Sequence, residues 1–341
     1  MLTMFLYRRN KSCASVLCLP GLLEPLKVGG FTLRNRIVMA PMQSGRATFE
    51  GAVTNKLINF YVKRSAFVGL PIVEHAYVSI AGKLSLKQLG IYDDALISGF
   101  EKLATAIQET GAPAVLQITH AGGVANKKVI GTQPAGPSAQ GKMRELQKTE
   151  IESIADEFVL AAKRAVKAGF DGVELHGAHG YLLCQFFSPL LNKRNDEFGS
   201  SLENRMRFPL MVTKKVRAIL KGKLLLYRIG ADDLAPNGIQ IAESKEFAVK
   251  LQEAGVDIID VSGGMCGAEP KQLEKVKGYF IPQASKIKKA VKVPVIGVGG
   301  ITAATYADKL VREGAVDLVA VGRALLKEPD WAEKACAFLG R

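Results

Sequence analysis

Eight short apolar segments alternate with amphipathic stretches along this chain, and that alternation limits the fold more than any other feature. The apolar segments are residues 37–41, 71–77, 114–118, 172–176, 224–229, 258–262, 293–298 and 318–322. Their lengths and β-branched content are typical of buried parallel strands, and the stretches between them are long enough for helices. Eight strand-then-helix units in sequence predict an α/β protein with a (β/α)8 TIM barrel.

Two segments depart from this repeat. Residues 26–33, with two glycines at their centre, predict a β-hairpin that could close the amino end of the barrel. Residues 121–148 follow the third strand and form a long, glycine-rich connection, which predicts a lid loop over the active face. We expect residues 24–341 to form a single barrel domain. Residues 1–23 contain no acidic residue and predict a disordered or transit-like extension.

Composition narrows the class of partner. The net charge is +14, but the lysines are spread over helical stretches with little aromatic interleaving, so we expect no nucleic-acid partner. No run reaches the roughly 20 apolar residues that span a bilayer, so we expect no membrane partner. The five cysteines lack metal-binding spacing, which argues against a metal site and favours a reducing, cytoplasmic compartment. A small-molecule substrate is the remaining partner, and a homo-oligomer stays open.

All four histidines of the chain fall at or just after predicted strand ends. His75, His120 and His176 end the second, third and fourth strands, and His179 follows shortly after. Active sites of such barrels lie at the carboxyl ends of the strands. His176, His179 and Tyr181 together offer hydrogen-bond donors for a developing oxyanion and a proton source. A half-buried structural histidine is the plain alternative at any single position.

Phosphate-binding groups follow the seventh and eighth strands. Gly299 and Gly300 close the seventh strand, and Gly322 and Arg323 close the eighth. Backbone amides, a helix start and a guanidinium commonly hold a phosphate in this part of a barrel. Glycines that only permit tight turns are the alternative for the first pair.

Other polar side chains converge on the same mouth of the predicted barrel. Gln117 lies at the end of the third strand, Arg228 ends the fifth, and Pro41, Met42 and Gln43 close the first. An amide and a guanidinium can bind the polar edge of a flat heteroaromatic ring and stabilise negative charge on it. The residues therefore indicate a phosphorylated ligand that is redox-active or carbonyl-like.

Seven short motifs occur in a specific order along the chain. They are NRIVMAPM at 35–42, QLGI at 88–91, QITHAG at 117–122, HGAHGYL at 176–182, NKRND at 192–196, ENRMRF at 203–208 and GR at 322–323. Each motif is modest alone, but the ordered set is specific. From about Leu23 to the carboxyl end, the chain resembles the old yellow enzyme family of FMN-dependent ene-reductases.

This resemblance implies FMN as the cofactor. The residues that would contact it are Ala40, Pro41, Met42, Gln43, Gln117, Arg228, Gly299, Gly300, Gly322 and Arg323. Gln117 would contact the pyrimidine edge of the flavin, and Arg228 would lie near flavin N1 and the C2 carbonyl. The two glycine pairs and Arg323 would hold the phosphate.

The resemblance also implies the reaction. NADPH or NADH would reduce the flavin and leave, and an enone-type small molecule would then accept the hydride in a ping-pong cycle. His176 and His179 would hold the carbonyl oxygen, and Tyr181 would protonate the α carbon. These three residues are the predicted catalytic set, and no metal is required.

One departure and three alternatives limit the prediction. Gln43 stands where family members usually carry threonine or cysteine near the flavin C4 carbonyl, so the flavin potential is left open. A tRNA-dihydrouridine synthase would share the first barrel strand and suit the positive charge. A non-redox isomerase or lyase would share Gly299, Gly300 and Arg323. A barrel that binds flavin without turnover would differ in activity alone.

Overall fold

The computed structural model of this chain describes residues 20–340, and twelve β-strands lie within that range. They are β1 (Leu26–Val28), β2 (Phe31–Leu33), β3 (Ile37–Met39), β4 (Leu70–Tyr77), β5 (Val115–Thr119), β6 (Ala135–Gly136), β7 (Arg144–Glu145), β8 (Gly172–Gly177), β9 (Leu224–Gly230), β10 (Ile258–Ser262), β11 (Val295–Gly297) and β12 (Leu318–Val321). Eight of them, β3 to β5 and β8 to β12, close into one parallel barrel. The predicted barrel is confirmed, with strand ends that agree within about two residues.

Helices follow the barrel strands and cover the outside of the barrel. They are α1 (Asn55–Ser65), α2 (Ile97–Gln108), α3 (Lys127–Ile130), α4 (Lys148–Lys167), α5 (Leu182–Phe187), α6 (Leu202–Ile219), α7 (Ile241–Glu253), α8 (Ile281–Lys288), α9 (Ala304–Arg312), α10 (Arg323–Lys327) and α11 (Trp331–Leu339). Helix α6 begins where the Ser201 hydroxyl accepts a hydrogen bond from the backbone N–H of Asn204. Across residues 20–340, no helix has both the length and the apolar character required to cross a bilayer.

The barrel interior is apolar at its amino end. Side chains alternate along each strand, and the inward set includes Ile72 and Leu226. Strands β1 and β2 pair as an antiparallel hairpin, and Phe31 of that hairpin packs against the same interior cluster. The turn approaches β9 so closely that a Cβ on Gly29 would lie 2.6 Å from Leu224 Cδ2. The hairpin therefore closes the amino end of the barrel, as predicted.

A bulge in β4 changes the alternation near the carboxyl end of that strand. The register between β4 and β5 shifts between Val73 and Ala76, and both of these residues pack in the outer core. Val73 and Ala76 thus face outward, and the two residues between them, Glu74 and His75, depart from strict alternation. The backbone N–H of Glu74 faces outward and donates to the Tyr61 hydroxyl oxygen at 2.7 Å. Bulges of this kind re-aim side chains next to active sites.

The predicted lid, residues 121–148, contains α3, β6 and β7 and is tied to the barrel by buried side chains. Gln185 in α5 donates to the carbonyl oxygen of Ala121 at 3.1 Å. Arg194 donates to the carbonyl oxygen of Pro137 at 2.9 Å. These hydrogen bonds satisfy the buried side chains of Gln185 and Arg194 and hold the segment against α5.

Candidate active site

Three imidazoles and one phenol form a cluster at the carboxyl ends of β4 and β8. The ring centroid of His176 lies 4.7 Å from that of Tyr181, 5.0 Å from that of His179 and 6.0 Å from that of His75. The sequence predicted that His176, His179 and Tyr181 lie together, and the structure brings them together. The contacts of His75 with this group were not predicted.

The imidazoles of this histidine–tyrosine cluster are neutral at pH 7. Burial, with a smaller effect of the Arg228 charge, lowers the pKa of His75 to about 4. Burial also lowers the pKa of His176 and of His179 well below the usual range. Burial raises the pKa of Tyr181, so its hydroxyl keeps its proton. Neutral imidazole N–H groups can donate hydrogen bonds to an oxygen that gains negative charge, and a protonated phenol can supply a proton.

One ring nitrogen of His179 is held by the barrel. His179 Nε2 lies 2.7 Å from the Ser262 hydroxyl oxygen, at the end of β10. The fourth histidine has a different environment, because His120 Nδ1 accepts the backbone N–H of Gly122 at 3.0 Å. His120 therefore supports the start of the lid segment.

A cleft of about 490 Å³ opens at the carboxyl ends of β3, β9, β10, β11 and β12. Predicted cofactor residues that line it are Ala40, Met42, Arg228, Gly300, Gly322 and Arg323. Ser262 also lines this cleft, so the bond between Ser262 and His179 joins the cleft to the histidine–tyrosine cluster. The remaining predicted residues, Pro41, Gln43, Gln117 and Gly299, do not line the cleft. Pro41 is buried, and the Gln43 amide donates to the Ser85 hydroxyl.

The end of the cleft near β11 and β12 is built from glycine and arginine. Gly299 has a φ of +125°, and a Cβ there would lie 2.8 Å from Tyr279 Cδ2, so only glycine fits. The Arg323 guanidinium forms an ion pair with Glu269 and donates to the Tyr279 hydroxyl at 3.4 Å. Glu269 and Arg323 are both about half exposed, so this ion pair contributes little to stability. Glu269 was not predicted.

A layer of buried polar side chains crosses the barrel below the cleft. Gln117 Nε2 donates to Glu174 Oε1 at 2.7 Å. Arg228 Nε lies 3.3 Å from Asp260 Oδ2 as an ion pair whose angles do not make a hydrogen bond. Burial and the neighbouring charge of Asp260 raise the pKa of Glu174 well above its usual range. Burial also raises the pKa of Asp260, an effect that the Arg228 charge opposes, so Glu174 is the carboxyl of this pair that more readily holds a proton. Glu174 and Asp260 each interrupt an otherwise apolar strand, and that interruption is the sequence signal that could have identified them.

Several buried polar atoms at this level lack hydrogen-bond partners within residues 20–340. They include Gln117 Oε1, Arg228 Nε and His176 Nδ1. Buried polar atoms in proteins are normally bonded, so a bound ligand is the expected source of their partners. An amide oxygen and a guanidinium suit a ring edge with N–H donors and carbonyl acceptors. The flavin of FMN has such an edge, and the residues present fit it.

Residues 21–339 match the NADH:flavin oxidoreductase / NADH oxidase family. Over 329 residues the chain is 41% identical to an NADH oxidase from Thermoanaerobacter brockii, a match that covers 93% of this chain and 50% of that protein. It is 38% identical over 327 residues to an NADPH dehydrogenase from Geobacillus sp. (strain WCH70), with 94% of each chain covered. The chain thus spans about half the length of the first relative and nearly all of the second.

Solved structures of similar proteins have the same barrel. The old yellow enzyme homologue from Zymomonas mobilis has a TM-score of 0.82 at 29% identity, over 94% of this chain and 93% of that one. A 2-naphthoyl-CoA reductase has a TM-score of 0.89 at 28% identity, over 93% of this chain and 52% of that one. Because the match covers nearly the whole described chain on one closed barrel, this protein belongs to the old yellow enzyme family of FMN-dependent NAD(P)H oxidoreductases.

Proposed function

We propose that this protein reduces the activated C=C bond of α,β-unsaturated carbonyl compounds, with NADPH or NADH as reductant in a ping-pong cycle. The cluster of His176, His179 and Tyr181 beside the cleft carries the proposal. Family membership alone does not specify this reaction, since relatives bear names as different as NADH oxidase and NADH:acrylate oxidoreductase. A cytoplasmic location remains a prediction from the sequence.

FMN, when bound, supplies a group that can accept a hydride and pass it on. The residues that would hold it are Ala40, Pro41, Met42, Gln43, Gln117, Arg228, Gly299, Gly300, Gly322 and Arg323. The unpaired Gln117 Oε1 would accept a ring N–H, and Arg228 would oppose negative charge at the opposite end of the same edge. The Arg323 guanidinium would release the Glu269 carboxylate and bind the FMN phosphate in its place.

The chain's own residues would stabilise the charge that develops on the substrate. As the β carbon gains a hydride, the electron pair of the C=C bond shifts and negative charge develops on the carbonyl oxygen. N–H donors of His176 and His179 would bind that oxygen, and Ser262 would keep the second ring oriented. The Tyr181 hydroxyl would give its proton to the α carbon and regain one from water.

Product analysis tests the proposal directly. FMN-loaded protein, NADPH and cyclohex-2-enone are incubated without oxygen, and cyclohexanone is measured by gas chromatography. We expect one cyclohexanone per NADPH consumed, and parallel double-reciprocal plots when both substrates are varied. NADPH consumption without cyclohexanone would refute the proposed activity.

The oxyanion role of the two histidines has a separate test. Phenols mimic the charged oxygen of the reaction, so a phenol should bind the oxidised protein and perturb its visible spectrum. Replacing His176 and His179 by alanine should weaken phenol binding about 10-fold or more, since two hydrogen bonds to a charged oxygen are lost. An unaltered phenol titration would exclude the oxyanion role.

A further inference from the structure

His75 lies inside the histidine–tyrosine cluster because the bulge in β4 interrupts the alternation of that strand. Its ring centroid is 5.6 Å from that of Tyr181 and 6.0 Å from that of His176. The side chain is buried, and the charge of Arg228 acts on it. His75 therefore lies next to the two residues, His176 and Tyr181, that are proposed to act on the substrate.

Gln88 determines which nitrogen of His75 carries the proton. Gln88 Oε1 accepts the backbone N–H of Leu84 at 2.8 Å, so its Nε2 is the donor end of the amide. That Nε2 lies 2.9 Å from His75 Nδ1 and 3.4 Å from the His75 carbonyl oxygen, which is also an acceptor. His75 Nδ1 must then accept, and the neutral ring carries its proton on Nε2.

His75 Nε2 borders open space in the site. It has no hydrogen-bond partner within residues 20–340, and the protein does not fully enclose it. No hydrogen bond joins it to the nearby Tyr181 hydroxyl. A substrate that fills this space excludes water, so an Nε2–H without an acceptor would weaken binding.

We propose that His75 is a specificity-determining residue whose Nε2–H binds a second oxygen of the substrate, beyond the oxygen held by His176 and His179. The preferred substrate class is then an unsaturated carbonyl compound with a further carbonyl oxygen, such as an ene-dione. A substrate with a single oxygen leaves the His75 donor unpaired. This inference rests on the proposed function.

Two substrates and two variants test the role of His75. Cyclohex-2-enone has one oxygen, and cyclohex-2-ene-1,4-dione has two on a ring of the same size. His75→Met removes the donor at similar length, while His75→Gln keeps an amide N–H near the position of Nε2. The second-order rate constant for reoxidation of the pre-reduced flavin is measured for each pair by stopped flow.

The ratio of the dione rate constant to the enone rate constant is the readout, because it cancels general damage to the site. We expect the ratio to fall about 5-fold to 10-fold in His75→Met, the effect of one hydrogen bond, and to stay within about 3-fold of wild type in His75→Gln. An unchanged ratio in His75→Met would overturn the His75 role alone. Wild-type protein that reduces neither compound would overturn the proposed function as well.

A measurement on the unmodified active site covers the case in which His75→Met does not fold. The chain has only four histidines, so nitrogen NMR of protein with ¹⁵N-labelled imidazoles gives few signals. The His75 signals are assigned by their loss in His75→Gln. We expect the Nε2–H tautomer at pH 7, with Nδ1 unprotonated. A proton on Nδ1, or a charged ring, would overturn the inference.

Discussion

Replacing Tyr181 by phenylalanine should remove the proposed proton donor and change little else. The Tyr181 hydroxyl makes no hydrogen bond with any of residues 20–340, so the free energy of unfolding should change by at most about 0.5 kcal/mol. The ring contact with His176, at 4.7 Å between centroids, remains available to phenylalanine. A positioned general acid contributes about 100-fold to 10,000-fold, equivalent to roughly 3–5 kcal/mol of activation free energy.

Anaerobic stopped flow separates the two half-reactions of this variant. Reduction of the flavin by NADPH should stay within about 2-fold of wild type, because Tyr181 has no proton to give in that step. Reoxidation by cyclohex-2-enone should slow at least about 100-fold. A decrease of less than about 10-fold would refute the assignment of Tyr181 as the proton donor.

Tyr227 provides a matched control. It lies on β9, the barrel strand next to β8. It is fully buried, and its hydroxyl also has no hydrogen-bond partner within residues 20–340. Its ring packs against Phe247 on the outer side of the barrel, away from the cleft. Tyr227→Phe should leave both half-reactions unchanged. Equal slowing in this variant would mean that loss of packing, and not loss of a proton, explains the effect.

Three further predictions follow from charges at the site. Glu269→Gln should tighten FMN binding about 2-fold to 5-fold, because Arg323 loses its competing carboxylate; equal affinity in a fluorescence titration of the apoprotein would contradict the phosphate role. Asp260→Asn should lower the free energy of unfolding by about 3–5 kcal/mol in urea, because Arg228 becomes an unpaired buried charge; a loss under about 1 kcal/mol would contradict that pairing. Burial raises the pKa of Tyr181 above its usual value of 10, so any alkaline decrease in the reoxidation rate constant should be centred above pH 10; a decrease centred below pH 10 would contradict a protonated donor.

The barrel could be predicted because each of its strands is buried on both sides. A strand such as β10 reads as an apolar run with Asp260 as its one internal polar residue, and its predicted bounds agree with the structure. The grouping of His176, His179 and Tyr181 could be predicted for a related reason, since they follow one strand within six residues. Both inferences rest on neighbours in sequence.

Features that depend on pairing between residues far apart in the sequence could not be predicted in this way. The position of His75 depends on a bulge in the register of β4 with β5, which alternation of residue types does not reveal. The pairing of Arg323 with Glu269 joins residues 54 positions apart through a loop conformation. The pairing of Arg228 with Asp260 depends on the register of β9 with β10. Sequence alone identified the two arginines but not the carboxylates opposite them.

An anaerobic visible-spectrum titration of the purified, FMN-loaded protein tests the proposed reaction most directly. One equivalent of NADPH should bleach the yellow flavin band, and cyclohex-2-enone should then return it to full intensity. A protein that takes up no FMN would contradict the cofactor site described above. A reduced band that cyclohex-2-enone does not return would contradict the proposed reduction of activated C=C bonds.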